Sequence, residues 1–132
     1  MFGDRDWETL IDWANTWSMP NGWQIVIRAD WTDVTVHRTH GVTYALILQD
    51  ERGNRLLGFD NSHGYDGASD DAPYDHEHRA NAVLRRAPYA CVSGDQLLKD
   101  FFDRCETYCA AHGVVFEVFE RDGTDGNEDN RE

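Results

Sequence analysis

Two short segments hold most of the side chains able to move protons, bind a metal or sit beside a phosphate. The first is Asp60-Asn61-Ser62-His63 and the second is Asp75-His76-Glu77-His78-Arg79. Imidazole titrates near pH ~6.5 when unperturbed, so His63, His76 and His78 suit general acid–base work at neutral pH. In an extended segment His76 and His78 point to one side, because strand side chains repeat every two residues. Asp60 and Asp75 would orient the rings, and Arg79 would place a positive charge near a phosphate. Cleavage of RNA through its own 2′-hydroxyl needs that set: a base, an acid and a cation. Two other uses fit the same residues. His63, His76 and His78 with Asp60 or Asp75 form a ligand set for Zn, Ni or Mn, although no fixed spacing such as HExxH is present. In the structural alternative, Asp60 and Asn61 cap turns and the histidines hydrogen-bond loop backbone.

Outside these segments the chemistry is sparse. His37 and His40 fall near a β-turn, and His112 falls at a helix end where a cation suits the dipole; all three read as structural. Arg85-Arg86 is the only adjacent basic pair and fits a carboxylate of its own surface as well as a phosphate. There is no Gly-rich phosphate loop and no CxxC. Neither Ser62 nor any of the cysteines is arranged as a nucleophile.

The elements that must position the two segments follow from periodicity. Trp7, Leu10, Ile11, Ala14 and Trp17 make one apolar stripe, which predicts a helix from Asp4 to about Trp17, capped by Asp4 or Asp6. Trp23, Ile25, Ile27 and Ala29 alternate with polar residues, as in a strand. Trp31 to His37 is also alternating and β-branched. Val42 to Leu48 predicts a strand, Asp50-Glu51-Arg52-Gly53-Asn54 a hairpin turn, and Arg55 to Asp60 the returning strand. From 61 to 86 the hydrophobic residues thin out, which predicts a long loop of the length that usually carries function. Tyr89 to Val92 suits a short strand. Ser93 with Gln96 has the capping-box form and opens a helix to His112, with Gly113 at its end. Val114 to Glu120 suits a last strand. The expected architecture is α+β: an antiparallel sheet of about four to six strands with two helices packed on one face. Residues 1–120 are expected to form a single domain and 121–132 an acidic flexible tail.

Composition narrows the setting. The chain has 132 residues, 40% of them hydrophobic, enough for one core. Its 25 acidic residues outweigh 12 basic ones for a net charge of −13, and Lys99 is the single lysine. Abundant Asp and Arg with scarce Lys are typical of a protein from a high-salt cytoplasm, kept soluble by hydrated carboxylates. In molar salt the Debye length is about 3 Å, so distant acids barely repel a phosphate, and RNA held by local contacts stays compatible. Charge argues against a membrane surface. The N-terminal residues lack a signal-peptide pattern, and no apolar run approaches the roughly 18–20 residues that span a bilayer. Cys91, Cys105 and Cys109 are odd in number, with the last two on the apolar side of a helix, so buried free thiols in a cytoplasmic protein are expected.

Taken together, Gly58-Phe59-Asp60-Asn61-Ser62-His63, Asp75-His76-Glu77-His78 and Leu97-Leu98-Lys99-Asp100-Phe101 resemble, in that order, motifs of the TumE family, small proteins assigned as toxins of toxin–antitoxin pairs. The resemblance spans about Gly41 to Phe102; the Asp/Gly stretch from Gly64 to Ala72 is longer than in the usual family form. It implies an antitoxin partner with a helix-turn-helix or winged-helix DNA-binding domain, and an RNA substrate by analogy with toxins of this size. The expectation is therefore a toxin acting as a metal-independent ribonuclease, without a cofactor, through His63, His76, His78 and Arg79 oriented by Asp60 and Asp75. The alternatives are a non-catalytic protein that binds a neighbouring DNA-binding regulator through exposed aromatics such as Trp13, Trp17 or Trp31, and a metal-binding accessory protein.

Overall fold

The computed structural model describes residues 3–61, 75–78, 86–89 and 91–120. The chain starts with α1 (Gly3–Asp12), then β1 (Asn15–Ser18), β2 (Gln24–Trp31), β3 (Val42–Gln49) and β4 (Arg55–Asp60). It continues with β5 (His76–His78), β6 (Arg86–Pro88), α2 (Gly94–Ala111) and β7 (Phe119–Glu120). All strands join one antiparallel sheet in the order β6-β5-β4-β3-β2-β1-β7. The α+β class, the antiparallel sheet and the two helices are as the sequence indicates.

The central strands follow the period-two pattern. Val42, Tyr44, Leu46 and Leu48 of β3 are buried and alternate with partly exposed neighbours. Across the sheet Leu46 pairs with Ile27 and Phe59, and Leu48 with Ile25 and Leu57. These residues share one core with Trp7 and Leu10 of α1 and with Leu97, Phe101, Cys105 and Cys109 of α2. Each fully buried large apolar side chain there contributes roughly 1.5–3 kcal/mol. Both helical cysteines are therefore buried free thiols, and burial pushes both thiols up from their ordinary pKa.

The ends of the elements show which local signals held. Ser93 is extended and its Oγ accepts from the Gln96 N–H at 3.0 Å, capping α2. Gly113 takes φ +69° just past the helix, a conformation that favours glycine. The β3–β4 turn closes with Asp50 N–H on the Asn54 carbonyl at 2.9 Å, and Gly53 has φ +87°.

Four expectations needed correction; one is the last strand, expected from Val114 to Glu120, which is only Phe119–Glu120. The first helix stops at Asp12, and Trp17 lies in β1, opposite Ile25. The turn that joins Met19 N–H to the Trp23 carbonyl folds residues 15–18 back along β2, and two-sided pairing with β2 and β7 outweighs the helical stripe. Trp17 keeps its contact with Trp13, ring centroids 4.9 Å apart, but reaches it from a strand. Between Trp31 and Val42 there is no strand: the Thr35 Oγ accepts from the backbone N–H of His37 and of Arg38, a local competitor for ladder bonds. The short strand expected at Tyr89–Val92 sits earlier, at Arg86–Pro88. Within the long segment from 61 to 86, residues 76–78 form β5, while residues 62–74 and 79–85 lie outside the described ones, as does the tail 121–132. No helix among the described residues is long and apolar enough to cross a membrane.

Candidate functional site

Strand β5 is three residues long, yet it sorts its titratable neighbours onto two sides. Phe59 of β4 stands opposite Glu77, and Phe59 meets Phe101 of α2, so this side of the sheet faces α2. Glu77 points the same way and accepts a 2.8 Å hydrogen bond from Arg104 Nε of α2. Asp75, two residues earlier, takes that side as well. Its Oδ1 accepts from the Tyr44 hydroxyl at 2.5 Å. Burial raises the Asp75 carboxyl above its usual 3.8, against the opposing pull of the Tyr44 hydrogen bond, and burial raises the Tyr44 hydroxyl as well.

His76 and His78 point to the other side. Register places His76 opposite Asp60 and His78 opposite Gly58. The His76 and His78 Nε2 atoms are 3.2 Å apart. The Asp60 carboxylate straddles them, with Oδ1 at 3.3 Å from His76 and Oδ2 at 3.5 Å from His78. All three are buried, with exposures of 3% for Asp60, 0% for His76 and 4% for His78. The Arg55 guanidinium lies 4.0 Å from Asp60 Oδ2 and adds positive charge at the rim.

Two neighbours build this geometry. Asn61 caps the end of β4 against β3: its Oδ1 accepts from the Tyr44 N–H at 2.9 Å and its Nδ2 donates to the Val42 carbonyl at 2.8 Å. That pins Asp60 in the sheet. Gly58 gives β4 its closeness to β3, because a Cβ there would stand 2.8 Å from the Leu46 carbonyl oxygen.

Of the residues expected from sequence, the structure brings Asp60, His76 and His78 together and sends Asp75 to the opposite side, where it serves Tyr44 instead of the histidines. His63 and Arg79 lie outside the described residues. Asn61 does cap, as the structural alternative held, whereas His76 and His78 face each other and a carboxylate. Sequence reasoning missed Arg55, Gly58 and the Glu77–Arg104 pair. Gly58 carried a signal, since a glycine inside a strand pattern marks close backbone approach. Arg104 carried none, because its partner is distant in sequence.

The arrangement limits the chemistry. A general base and a general acid on a phosphate must each reach their own oxygen at about 2.6–3.2 Å. Two nitrogens 3.2 Å from each other leave no room for a phosphate between them. The two rings are placed to face one small ligand together, not two separate oxygens. No family model, curated protein or solved structure matches this chain.

Proposed function

We propose that this chain is the toxin of a toxin–antitoxin pair, and that its action on RNA depends on Asp60, His76 and His78 working as a unit. The observation that carries this reading is convergence: the two motifs that resemble the TumE family, far apart in sequence, become paired strands whose Asp and His side chains meet. The buried position of the trio means that RNA reaches it only when the centre opens. His63 and Arg79 remain the proposed contributors of a further imidazole and a cation. The partner is an antitoxin with a helix-turn-helix or winged-helix domain.

The test is growth of a salt-tolerant host expressing the chain alone, beside His76→Ala/His78→Ala, with total RNA examined. Arrest with RNA fragmentation, relieved by a double variant that stays folded, is the expected result. Soluble, folded wild-type protein that causes no arrest would remove the toxin reading.

A second reading has its own support. Trp31, Val34 and Val36 are 50%, 72% and 56% exposed in and just beyond the end of β2. Such apolar exposure suits a non-catalytic module that binds a DNA-binding regulator. Absence of arrest, with stable capture of the product of an adjacent regulator gene, favours it.

A further inference from the structure

We propose that Asp60, His76 and His78 form a binding site for one divalent ion of the zinc type, Zn2+, Co2+ or Ni2+. The inference concerns the same centre as the proposed function but holds whether or not RNA is the substrate.

Geometry is the first argument. A tetrahedral zinc-type ion with bonds of about 2.0–2.1 Å keeps its ligands roughly 3.3–3.4 Å apart. Here the two Nε2 atoms are 3.2 Å apart, and the two carboxylate oxygens face them, Oδ1 at 3.3 Å from His76 and Oδ2 at 3.5 Å from His78, so four ligand atoms frame one opening. An ion in that opening would take one nitrogen from each ring and one or both oxygens of the carboxylate.

Chemistry is the second argument. Two imidazoles and one carboxylate match zinc, cobalt and nickel, whereas magnesium and calcium want oxygen ligands alone. The alternative occupant of that opening is a proton. A proton on one ring nitrogen serves one acceptor at a time, the other ring at 3.2 Å or an Asp60 oxygen at 3.3–3.5 Å. An ion satisfies both nitrogens and the carboxylate at once.

Construction is the third argument. The ligands come from two paired strands, with His76 and His78 fixed by period two and Asp60 by register. Rigid elements hold metal ligands more closely than loops do. The three-residue set leaves at least one position for a further ligand, as catalytic zinc sites do.

The test uses the full chain, expressed without a histidine tag, stripped with chelator and kept in molar KCl. Calorimetric titration with Zn2+ is expected to give one ion per chain. Co2+ is expected to give the intense visible absorption of a tetrahedral complex, and Mg2+ no comparable binding. His76→Gln, His78→Gln and Asp60→Asn are each expected to weaken Zn2+ binding at least tenfold, while His112→Gln leaves it unchanged. Because a buried variant can fail to fold, the wild type carries a second readout: Zn2+ should shift the Nε2 resonances of two of the six histidines. Absence of stoichiometric binding, binding untouched by all three variants, or shifts confined to other histidines would overturn the site. Zinc binding without growth arrest keeps the site and removes the toxin reading; arrest without zinc binding does the reverse.

Discussion

Two buried polar groups flank the β4–β5 pair, and they are built differently. On the side facing α2, hydroxyl or guanidinium donors meet carboxylates: Tyr44 with Asp75, and Arg104 with Glu77. These contacts tie β3 to the residue before β5, and β5 to α2. On the other side three groups converge, and two are identical rings with their Nε2 atoms turned toward each other. Donor–acceptor contacts of that kind satisfy buried polar groups. A convergence of two imidazoles and a carboxylate also suits a bound cation. The same short run, residues 75–78, feeds both sides, so structure and site are separated by a single residue step.

That contrast can be broken or sharpened by experiment. The largest effect belongs to the trio, where each ligand substitution is expected to cost at least tenfold in zinc affinity while leaving the α2 side intact. Next comes Gly58→Ala. The added Cβ would meet the Leu46 carbonyl oxygen at 2.8 Å, and backbone cannot move aside cheaply. A loss of about 1–3 kcal/mol in unfolding free energy is expected, with weaker zinc binding, because β4 carries Asp60. Denaturant unfolding checks the first and calorimetry the second.

Tyr44→Phe removes the donor to buried Asp75 and is expected to cost about 1–3 kcal/mol, with zinc affinity unchanged. Loss of metal binding in that folded variant would show that the two sides are coupled. Asp75→Asn tests the pH dependence. Burial raises the folded-state pKa of Asp75 above 3.8, so the folded protein holds this proton longer than the unfolded chain. The contribution to stability is full below 3.8 and falls as pH rises through the raised value. Asn accepts the same hydroxyl and does not titrate, so its stability relative to wild type should improve across that window. A flat difference in unfolding free energy with pH would contradict the assignment. The smallest effect is expected from Arg104→Ala. The Arg104 side chain is 47% exposed and its charge is screened, but that of Glu77 is 8% exposed, so loss of the donor is expected to cost about 1 kcal/mol, the low end of the range for a buried acceptor. Double-variant unfolding with Glu77→Gln measures it.

Legibility in the sequence tracked the range of the forces involved. The β3–β4 hairpin and the capped α2 were readable because their signals lie within a few residues: Asp50 to Asn54, Ser93 to Gln96, Gly113. The first helix was overextended because a helical stripe at Trp17 competes with a strand pairing that only the partner strand reveals. For the site, the shared side of His76 and His78 was legible from period two. The same rule, carried back one residue, separates Asp75 from His76 and would have moved Asp75 out of the site.

By itself, then, the sequence determined the α+β class, the alternation of the central strands, the buried thiols and the pairing of His76 with His78 on one side. These rest on local stereochemistry and on which side chains leave water. Tertiary structure alone decided that Asp60 faces the two rings, that Asp75 belongs to Tyr44 and that Arg104 reaches Glu77. Each depends on the register between strands joined by a long connection, or on where a helix docks. Register is set by the whole core at once, because a slip of one residue would turn Phe59 and Leu57 out of it and Asp60 in.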